Sequence, residues 1–195
     1  MTKADKTPFI SSFCVPYFLF VIPLKKTPLK PLPTLHFQNA HHSAAAADWL
    51  RAVYPLYLHD LTRYEPTLYT LDAAGQWQPD RLYWWLDERH GLPMVITLGG
   101  KTAGFVLLNT TPHFRNLRAD LKISEFFIVN EFRRRHHGRR VVERLAEIYG
   151  GVWEVEAIRA NLPAVRFWQG FIENRSTILE QIESEAHYNW VFKIS

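Results

Sequence analysis

The chain of 195 residues contains only one cysteine, Cys14. A single cysteine excludes a disulfide framework and a cysteine-based zinc site, and it is typical of a reducing compartment. We therefore expect a cytoplasmic protein. The histidines also favour no metal centre, because His41–His42 and His136–His137 are adjacent pairs whose members face different ways and have no companion ligands at suitable spacing.

The sequence also lacks an apolar run long enough to cross a membrane. Residues 13–24 form an apolar stretch of 12 residues with two prolines, whereas a spanning helix needs roughly 20 residues. A cleaved signal peptide or a lipid-surface anchor are alternatives, but no small-residue cleavage site follows. Because five prolines lie between positions 16 and 33, we expect residues 1–33 to be a loosely ordered extension, residues 34–195 to form the functional domain, and no membrane partner.

The main part of the chain has no excess of either charge. The formal net charge of +4 arises within residues 1–34, which hold five lysines and one acid, while the remaining 161 residues hold 18 basic and 18 acidic residues. A domain that binds nucleic acid is usually basic over one face. We therefore expect no nucleic-acid partner, and a nucleic-acid-binding helix at residues 133–140 stays a minor alternative.

Apolar residues make up 47% of the chain and charged residues 22%, as in a folded domain with a core. Hydrophobic periodicity and capping residues predict a single mixed α/β domain. The predicted strands are residues 34–38, 94–98, 103–109, 121–129, 152–156, 177–183 and 187–193. One helix is predicted to begin after Ser43, and three more are predicted at residues 81–89, 138–149 and 161–172. In the helix of residues 138–149 we expect a buried face of Val141, Val142, Leu145 and Ile148.

A short basic turn connects the strand of residues 121–129 to the helix that follows. The N-terminus of a helix offers unpaired N–H groups and the positive end of the helix dipole, which together attract anions. The basic residues at this end are Arg133, Arg134, Arg135, His136, His137, Arg139 and Arg140. We expect a polyphosphate to bind here. The alternative is a solvated basic face, with Arg144 paired to Glu143 or Glu147.

Three segments resemble the GNAT superfamily of acetyl-CoA-dependent N-acetyltransferases, which the chain is similar to from roughly residue 34 to 193. Residues 133–138 are similar to the family's Arg/Gln-x-x-Gly-x-Gly/Ala turn, whose amides cradle the pyrophosphate of coenzyme A. Residues 123–129 are similar to the strand that pairs with the pantetheine arm. Residues 161–168 are similar to the Asn-x-x-Ala-x-x-Leu/Phe-Tyr helix. The span 152–168 further resembles a bacterial branch of predicted acetyltransferases.

The sequence patterns predict the element order β-α-α-β-β-β-α-β-α-β-β, and the resemblance implies that the strands form a single mixed, largely antiparallel sheet flanked by helices. It implies an acyltransferase that moves acetyl from acetyl-CoA, without a metal, directly to a primary amine of a small molecule or peptide, and it allows a homodimer. The residues implied to contact acetyl-CoA are Phe127, Ile128, Val129, Arg133, Arg134, Arg135, His136, His137, Gly138, Arg139, Asn161, Ala164 and Trp168. A backbone N–H between Phe127 and Val129 would meet the oxyanion, and Asn161 would bind the pantetheine arm or cap its helix.

Two positions depart from the family pattern. His136 stands where the turn has its first glycine, so its Cβ would crowd a pyrophosphate unless the imidazole contacts a phosphate instead. Trp168 stands where many relatives place a tyrosine that protonates the departing thiolate. A thiol with a pKa of about 8.5 leaves as thiolate without much help. A catalytically silent module that binds coenzyme A is the alternative that these departures suggest.

Glu125 is the candidate general base, because it lies on the strand just before the backbone implied to bind the thioester. Desolvation in a cleft would raise its pKa toward the useful range. The alternative is a structural carboxylate paired with Lys122 or an arginine.

The acceptor side is expected to be rich in aromatic residues, which are Tyr54, Tyr57, Tyr64, Tyr69, Trp77, Tyr83, Trp84 and Trp85. The interspersed acids are Asp60, Glu65, Asp87 and Glu88. Rings and carboxylates suit an ammonium or a flat molecule, although helical spacing is also typical of core residues.

Overall fold

A computed structural model describes residues 31–110 and 115–195. The predicted N-terminal extension, residues 1–33, lies outside the described residues except for its last three, and it stays a prediction. The strands are β1 (Leu35–Asn39), β2 (Thr70–Leu71), β3 (Trp77–Gln78), β4 (Leu92–Leu98), β5 (Lys101–Asn109), β6 (Leu121–Ile128), β7 (Val152–Ile158), β8 (Ser176–Glu183) and β9 (His187–Ile194). The helices are α1 (Ala44–Thr62), α2 (Leu82–Trp85), α3 (His137–Tyr149) and α4 (Leu162–Arg175).

Seven of these strands form one sheet in the order β1-β4-β5-β6-β7-β9-β8. Every neighbouring pair is antiparallel except β6 and β7, which run parallel. The predicted mixed, largely antiparallel sheet and the predicted order of its elements are confirmed. The sequence patterns missed β2 and β3, which pair with each other as two-residue strands and are too short to show a periodicity.

The strands alternate their side chains between the two faces of the sheet, and a helical layer covers each face. On β5, Val106 and Leu108 pack into a core with α3 and α4, whereas Phe105 and Leu107 pack into a second core with α1. Ser43 caps α1 as predicted, since its hydroxyl accepts a hydrogen bond from the Ala46 N–H at 3.3 Å.

The predicted buried face of α3 is correct for its first two turns and wrong at its end. Val141, Val142 and Leu145 are fully buried, but Ile148 is 50% exposed. Tyr149 packs against the core instead. The position four residues after Leu145 continues the stripe of a helix with 3.6 residues per turn, so Tyr149 occupies the place predicted for Ile148.

The parallel pair β6–β7 opens partway along its length. Its pairing covers only three positions, from Leu121↔Trp153 to Ile123↔Val155, although both strands continue beyond them. On the other side of β6, the register with β5 shifts so that Ser124 is passed over in the pairing, which makes it a bulge residue. Bulges bend a strand and are frequent next to active sites. The bulge therefore accompanies a gap in the sheet just before Glu125.

Candidate active site

Two cavities meet at this gap. They are separated by a group of residues that line both of them, here called the wall. The first, here the Glu125 cavity, has a volume of about 660 Å³ and is lined by parts of α1, α2, β6, β7 and β9. The second, here the turn cavity, has a volume of about 970 Å³ and is lined by α1, the end of β6, the basic turn and α4. The residues that line both cavities are Tyr57, Leu61, Phe126, Asn161, Ala164 and Trp168.

Glu125 faces the Glu125 cavity and accepts a hydrogen bond from the hydroxyl of Tyr57. Burial raises the pKa of Glu125 from 4.5 to about 7, against the lowering effects of the Tyr57 hydrogen bond and of the Arg81 charge. Lys122, the partner proposed for a purely structural carboxylate, instead pairs with Glu154 at 3.0 Å and Glu156 at 3.6 Å. Glu125 is therefore a carboxylate that exchanges protons near neutral pH in a cleft.

Tyr57 is a site residue that the sequence analysis placed only among the aromatic residues of α1. Its ring is buried against Phe105 and Phe127, with centroid distances of 5.4 Å and 5.7 Å. Burial is the largest cause that raises the pKa of the Tyr57 hydroxyl, and the Glu125 charge adds to it. The hydroxyl therefore stays protonated and donates to Glu125. Tyr57 and Glu125 are 68 positions apart in the chain, so no short-range pattern in the sequence could predict that their side chains meet.

Of the three backbone N–H groups expected as oxyanion donors, from Phe127 to Val129, one faces the gap. The Val129 N–H donates to the Ala103 carbonyl at 2.9 Å, and a Cβ on Gly104 of β5 would overlap the Phe127 carbonyl oxygen. Because successive residues of an antiparallel strand alternate their backbone groups between the two edges, Phe127 and Val129 face β5 and Ile128 faces the gap. Arg133 Nε donates to the Ile128 carbonyl, which agrees with this orientation.

The basic turn has the conformation of an anion-binding loop. Arg134 and His136 both have a φ of 59°, in the left-handed region, and α3 begins directly after them at His137. His136 makes no side-chain hydrogen bond that caps the helix within the described chain. The first N–H groups of α3 are thus left to solvent or a ligand, and both Arg134 and His136 line the turn cavity.

The arginines of the turn have different environments. Arg133 is held by an ion pair to Asp60 of α1 at 2.8 Å and lies over the Phe127 ring at 5.0 Å. Arg139 lines the turn cavity and pairs with Glu143 of its own helix at 3.1 Å. Arg135 is exposed and outside both cavities.

Two polar atoms beside the turn are buried without a hydrogen-bond partner among residues 31–110 and 115–195. They are Nδ1 of His137 and Nη1 of Arg140. Burial, followed by the charges of Arg140 and Arg135, lowers the pKa of His137. Buried polar groups are rarely left unsatisfied in a native protein. His137 lines the turn cavity, so its Nδ1 fits a site that takes an anionic or hydrated ligand, whereas Arg140 does not line the cavity and its Nη2 donates to the Pro33 carbonyl at 2.9 Å.

The start of α4 supplies small and polar residues to the wall. The Asn161 side chain accepts the Ala164 N–H at 3.2 Å and so caps the helix, and both residues line both cavities. In the turn, a Cβ on Gly138 would lie 3.4 Å from the Phe167 ring and 3.7 Å from the Phe126 ring. Gly138 therefore leaves the wall open at that point.

The four acids expected on the acceptor side do not line the Glu125 cavity. Asp60 is paired with Arg133, Asp87 with Arg89, and Glu65 accepts from Thr67. The acids that face the cavity are Glu125 and Glu156. The loop after α1 reaches the cavity through Leu68 and Tyr69, but its acid Glu65 does not.

The expected aromatic residues include members of the core and of the cavity lining, and Tyr57, Tyr69 and Trp85 belong to both. Tyr54, Tyr57, Tyr69 and Trp85 are buried, whereas Tyr83 is 74% exposed. Tyr57, Tyr69, Tyr83, Trp84 and Trp85 line the Glu125 cavity.

Within the described residues no group of three or more histidine, cysteine or acidic side chains is arranged to hold a metal ion. None of the helices in the described part combines the length and apolar character that crossing a bilayer requires.

The profile of the Acetyltransferase (GNAT) family matches residues 48–171, which is more than half of the chain. The chain belongs to the GNAT family of acetyltransferases. It is therefore an acyltransferase. The matched segment begins in α1 and ends in α4, so it contains Tyr57, Glu125, the basic turn and the wall between the cavities.

Solved structures of similar fold agree with GNAT membership. An acetyltransferase from Thermus thermophilus has a TM-score of 0.57 and 15% identity, over 83% of this chain and 97% of that chain. The Salmonella typhimurium protein yncA, described as an acetyltransferase and solved with its cofactor acetyl-CoA, has a TM-score of 0.53 and 13% identity, over 83% and 94%. The ribosomal-protein-S18-alanine N-acetyltransferase of Escherichia coli has a TM-score of 0.51 and 14% identity, over 83% and 95%. A search of curated protein sequences gives no match.

The two departures from the GNAT pattern have clear structural environments. His136 adopts the left-handed conformation that a glycine would take most easily. Trp168 is 4% exposed and packs against the rings of Phe126, Phe167 and Phe171, at centroid distances of 5.9, 5.0 and 6.5 Å. In this GNAT enzyme, Trp168 is thus a packing element of the wall between the cavities.

Proposed function

We propose that this enzyme transfers an acetyl group from acetyl-CoA directly to a primary amine, with Glu125 as the general base. The observation that carries the proposal is the meeting of two cavities at the β6–β7 gap, with a carboxylate whose pKa is about 7 on one side and an anion-binding turn on the other. A reaction between two substrates needs both sites to reach one point.

The turn cavity fits acetyl-CoA as co-substrate. The uncapped start of α3, the two left-handed residues Arg134 and His136, and the unsatisfied Nδ1 of His137 suit the pyrophosphate. Arg139 adds positive charge, and Arg133 holds α1 against the turn through Asp60. The parted edge of β6 offers backbone groups to the pantetheine arm.

The acceptor amine enters through the Glu125 cavity. Glu125 takes a proton from it, directly or through a water, so that the nitrogen lone pair attacks the thioester carbonyl. A new N–C bond forms, and the Ile128 N–H, which faces the gap, donates to the oxyanion. The C–S bond then breaks, coenzyme A leaves as a thiolate, and the nitrogen gives up its second proton to the thiolate or to solvent, which leaves a neutral amide.

The departing thiolate needs no acid from Trp168. With a thiol pKa of about 8.5, the thiolate is a stable leaving group near neutral pH. The tightly packed indole keeps water out of the wall, which limits hydrolysis of the thioester.

Titration calorimetry of the purified full chain with acetyl-CoA tests the cofactor, with desulfo-CoA and ATP as controls. We expect micromolar binding of acetyl-CoA, and release of free thiol when amines are added. Absence of binding at millimolar concentration, for a protein shown to be folded, would mean that the turn does not accept the pyrophosphate and would overturn the proposal. The cytoplasmic location, the homodimer, and the absence of metal and nucleic-acid partners stay predictions.

A further inference from the structure

The Glu125 cavity contains one basic side chain that forms no ion pair with any of the described residues. Two basic side chains, Arg81 and Lys122, line this cavity. Lys122 forms ion pairs with Glu154 and Glu156. Arg81 forms no ion pair within 4.0 Å and no side-chain hydrogen bond with any residue in the ranges 31–110 and 115–195.

Arg81 lies close enough to Glu125 to act on it. Although burial dominates the raised pKa of Glu125, the positive charge of Arg81 lowers it. The same charge opposes the rise in the pKa of Tyr69, which is also caused mainly by burial. A ligand that reaches Glu125 in this cavity therefore also meets the field of the Arg81 guanidinium.

The phosphates of the co-substrate do not explain Arg81. They belong to the turn cavity, which Arg81 does not line, and the wall of Tyr57, Phe126 and Trp168 lies between. Arg81 therefore faces the acceptor. A planar guanidinium matches a carboxylate with two parallel hydrogen bonds, which a compact ammonium does not provide.

An exposed aromatic ring lines the same cavity as Arg81. Tyr83 is 74% exposed and lines the Glu125 cavity. A large apolar side chain that is exposed at the rim of a cleft is a surface on which a flat ligand group can stack.

We infer that the acceptor is an aromatic α-amino acid: its amine faces Glu125, its carboxylate binds Arg81, and its ring lies on Tyr83. This inference rests on the proposed function, because it names the acceptor of the same site. The reaction forms an N-acyl amino acid and free coenzyme A. The ammonium form of the amine loses one proton to Glu125, which passes it on to solvent, and the nitrogen loses a second proton to the departing thiolate.

The experiment compares acceptors that differ only in the carboxylate, using the full chain and saturating acetyl-CoA. L-Phenylalanine, L-phenylalaninamide and phenethylamine share the amine and the ring. We expect kcat/KM for L-phenylalanine to exceed that for phenethylamine by about 10- to 100-fold, as for a hydrogen-bonded charge pair. O-Phosphoethanolamine, which carries a phosphate, separates phosphate recognition from carboxylate recognition.

Two variants assign the effect to Arg81. At pH 9, where Glu125 is ionised with or without the Arg81 charge, Arg81→Gln should abolish most of the roughly 10- to 100-fold preference for L-phenylalanine over phenethylamine, while Arg81→Lys keeps the charge and should recover part of that preference. Arg89→Gln is the matched control, since Arg89 is an exposed arginine paired with Asp87 outside both cavities. Binding of L-phenylalanine to the protein saturated with coenzyme A, measured by calorimetry, gives a readout that does not depend on turnover.

The outcomes distinguish failure of the amino-acid inference from failure of the acetyltransferase proposal. Equal kcat/KM values for L-phenylalanine and phenethylamine, or a phosphate-bearing acceptor that is preferred, would overturn the amino-acid inference and leave the acetyltransferase proposal standing. Failure of L-phenylalanine to bind or react would do the same, provided that acetyl-CoA binds. Failure of acetyl-CoA itself to bind would count against the proposed function.

Discussion

The two cavities share a wall but are built in different ways. The turn cavity takes most of its polar groups from one continuous stretch, residues 133–139, together with the first turns of α4. The Glu125 cavity is assembled from α1, α2, β6, β7 and β9, so that Tyr57, Arg81, Glu125 and His187 meet although they are far apart in the chain.

This difference reflects what each cavity has to recognise. A pyrophosphate is bound by backbone N–H groups and a helix dipole, which a short segment supplies by itself. An acceptor is distinguished by side chains that approach from several directions. One side of the enzyme is therefore a local motif, and the other is a product of the packing of the whole domain.

Replacing the general base, Glu125, should have the largest effect that affects one cavity and not the other. Glu125→Gln should lower kcat by on the order of 100-fold, because general base catalysis contributes at least that much, while the affinity for acetyl-CoA stays unchanged. In the unaltered enzyme, kcat/KM should fall as the pH drops below about 7, since protonated Glu125 cannot accept a proton. Steady-state kinetics and calorimetry measure both quantities.

Stability provides the control for this substitution. The pKa of Glu125 is raised on folding, so its contribution to stability is fully present below pH 4.5 and is lost as the pH rises through about 7. Glu125→Gln should therefore raise the unfolding free energy at pH 8 by about 1–3 kcal/mol, with no gain at pH 4. Unchanged turnover would remove Glu125 from the mechanism, and unchanged stability would contradict its burial.

A smaller effect should follow from Tyr57→Phe. Burial raises the pKa of Glu125 and the Tyr57 hydroxyl opposes this, so its loss should move the acid limb of the kcat/KM profile to higher pH. We expect a decrease of about 3- to 10-fold at pH 7 and recovery at pH 9. A pH–rate profile measures the shift.

Tyr54→Phe is the matched control, since Tyr54 lies one turn earlier on α1. Its buried hydroxyl has no hydrogen-bond partner in the described part of the chain. Its removal should leave the pH profile in place. If both variants shift the profile equally, the effect comes from packing rather than from the hydrogen bond.

The smallest effect concerns the turn cavity. His136→Gly removes a Cβ from a residue with a φ of 59°, which relieves backbone strain and opens space for the pyrophosphate. We expect acetyl-CoA to bind about threefold more tightly, a gain of roughly 0.7 kcal/mol, with the acceptor KM unchanged. Weaker binding, measured by calorimetry, would show instead that the imidazole contacts a phosphate.

The sequence by itself predicted most strands and helices and the position of the basic turn. These features depend on interactions between residues close in the chain: the periodicity of β5 and β6, the cap at Ser43, and the change from strand to helix around Gly138. The predicted buried face of α3 was wrong at Ile148. Neighbouring residues of a helix point in different directions, and Tyr149 rather than Ile148 lies on the buried side.

Only the tertiary structure decided what surrounds Glu125. Its surroundings arise from elements that are separated by tens of residues. They are the β6–β7 gap, the hydrogen bond from Tyr57, the ion pair of Lys122 with Glu154, and the lack of an ion-pair partner for Arg81 among the described residues. The pKa of a carboxylate depends on burial and on neighbouring charges in space. The resemblance of β6 to the cofactor-binding strand of GNAT proteins therefore located the candidate base, and the packing of α1 against the sheet determined its proton affinity.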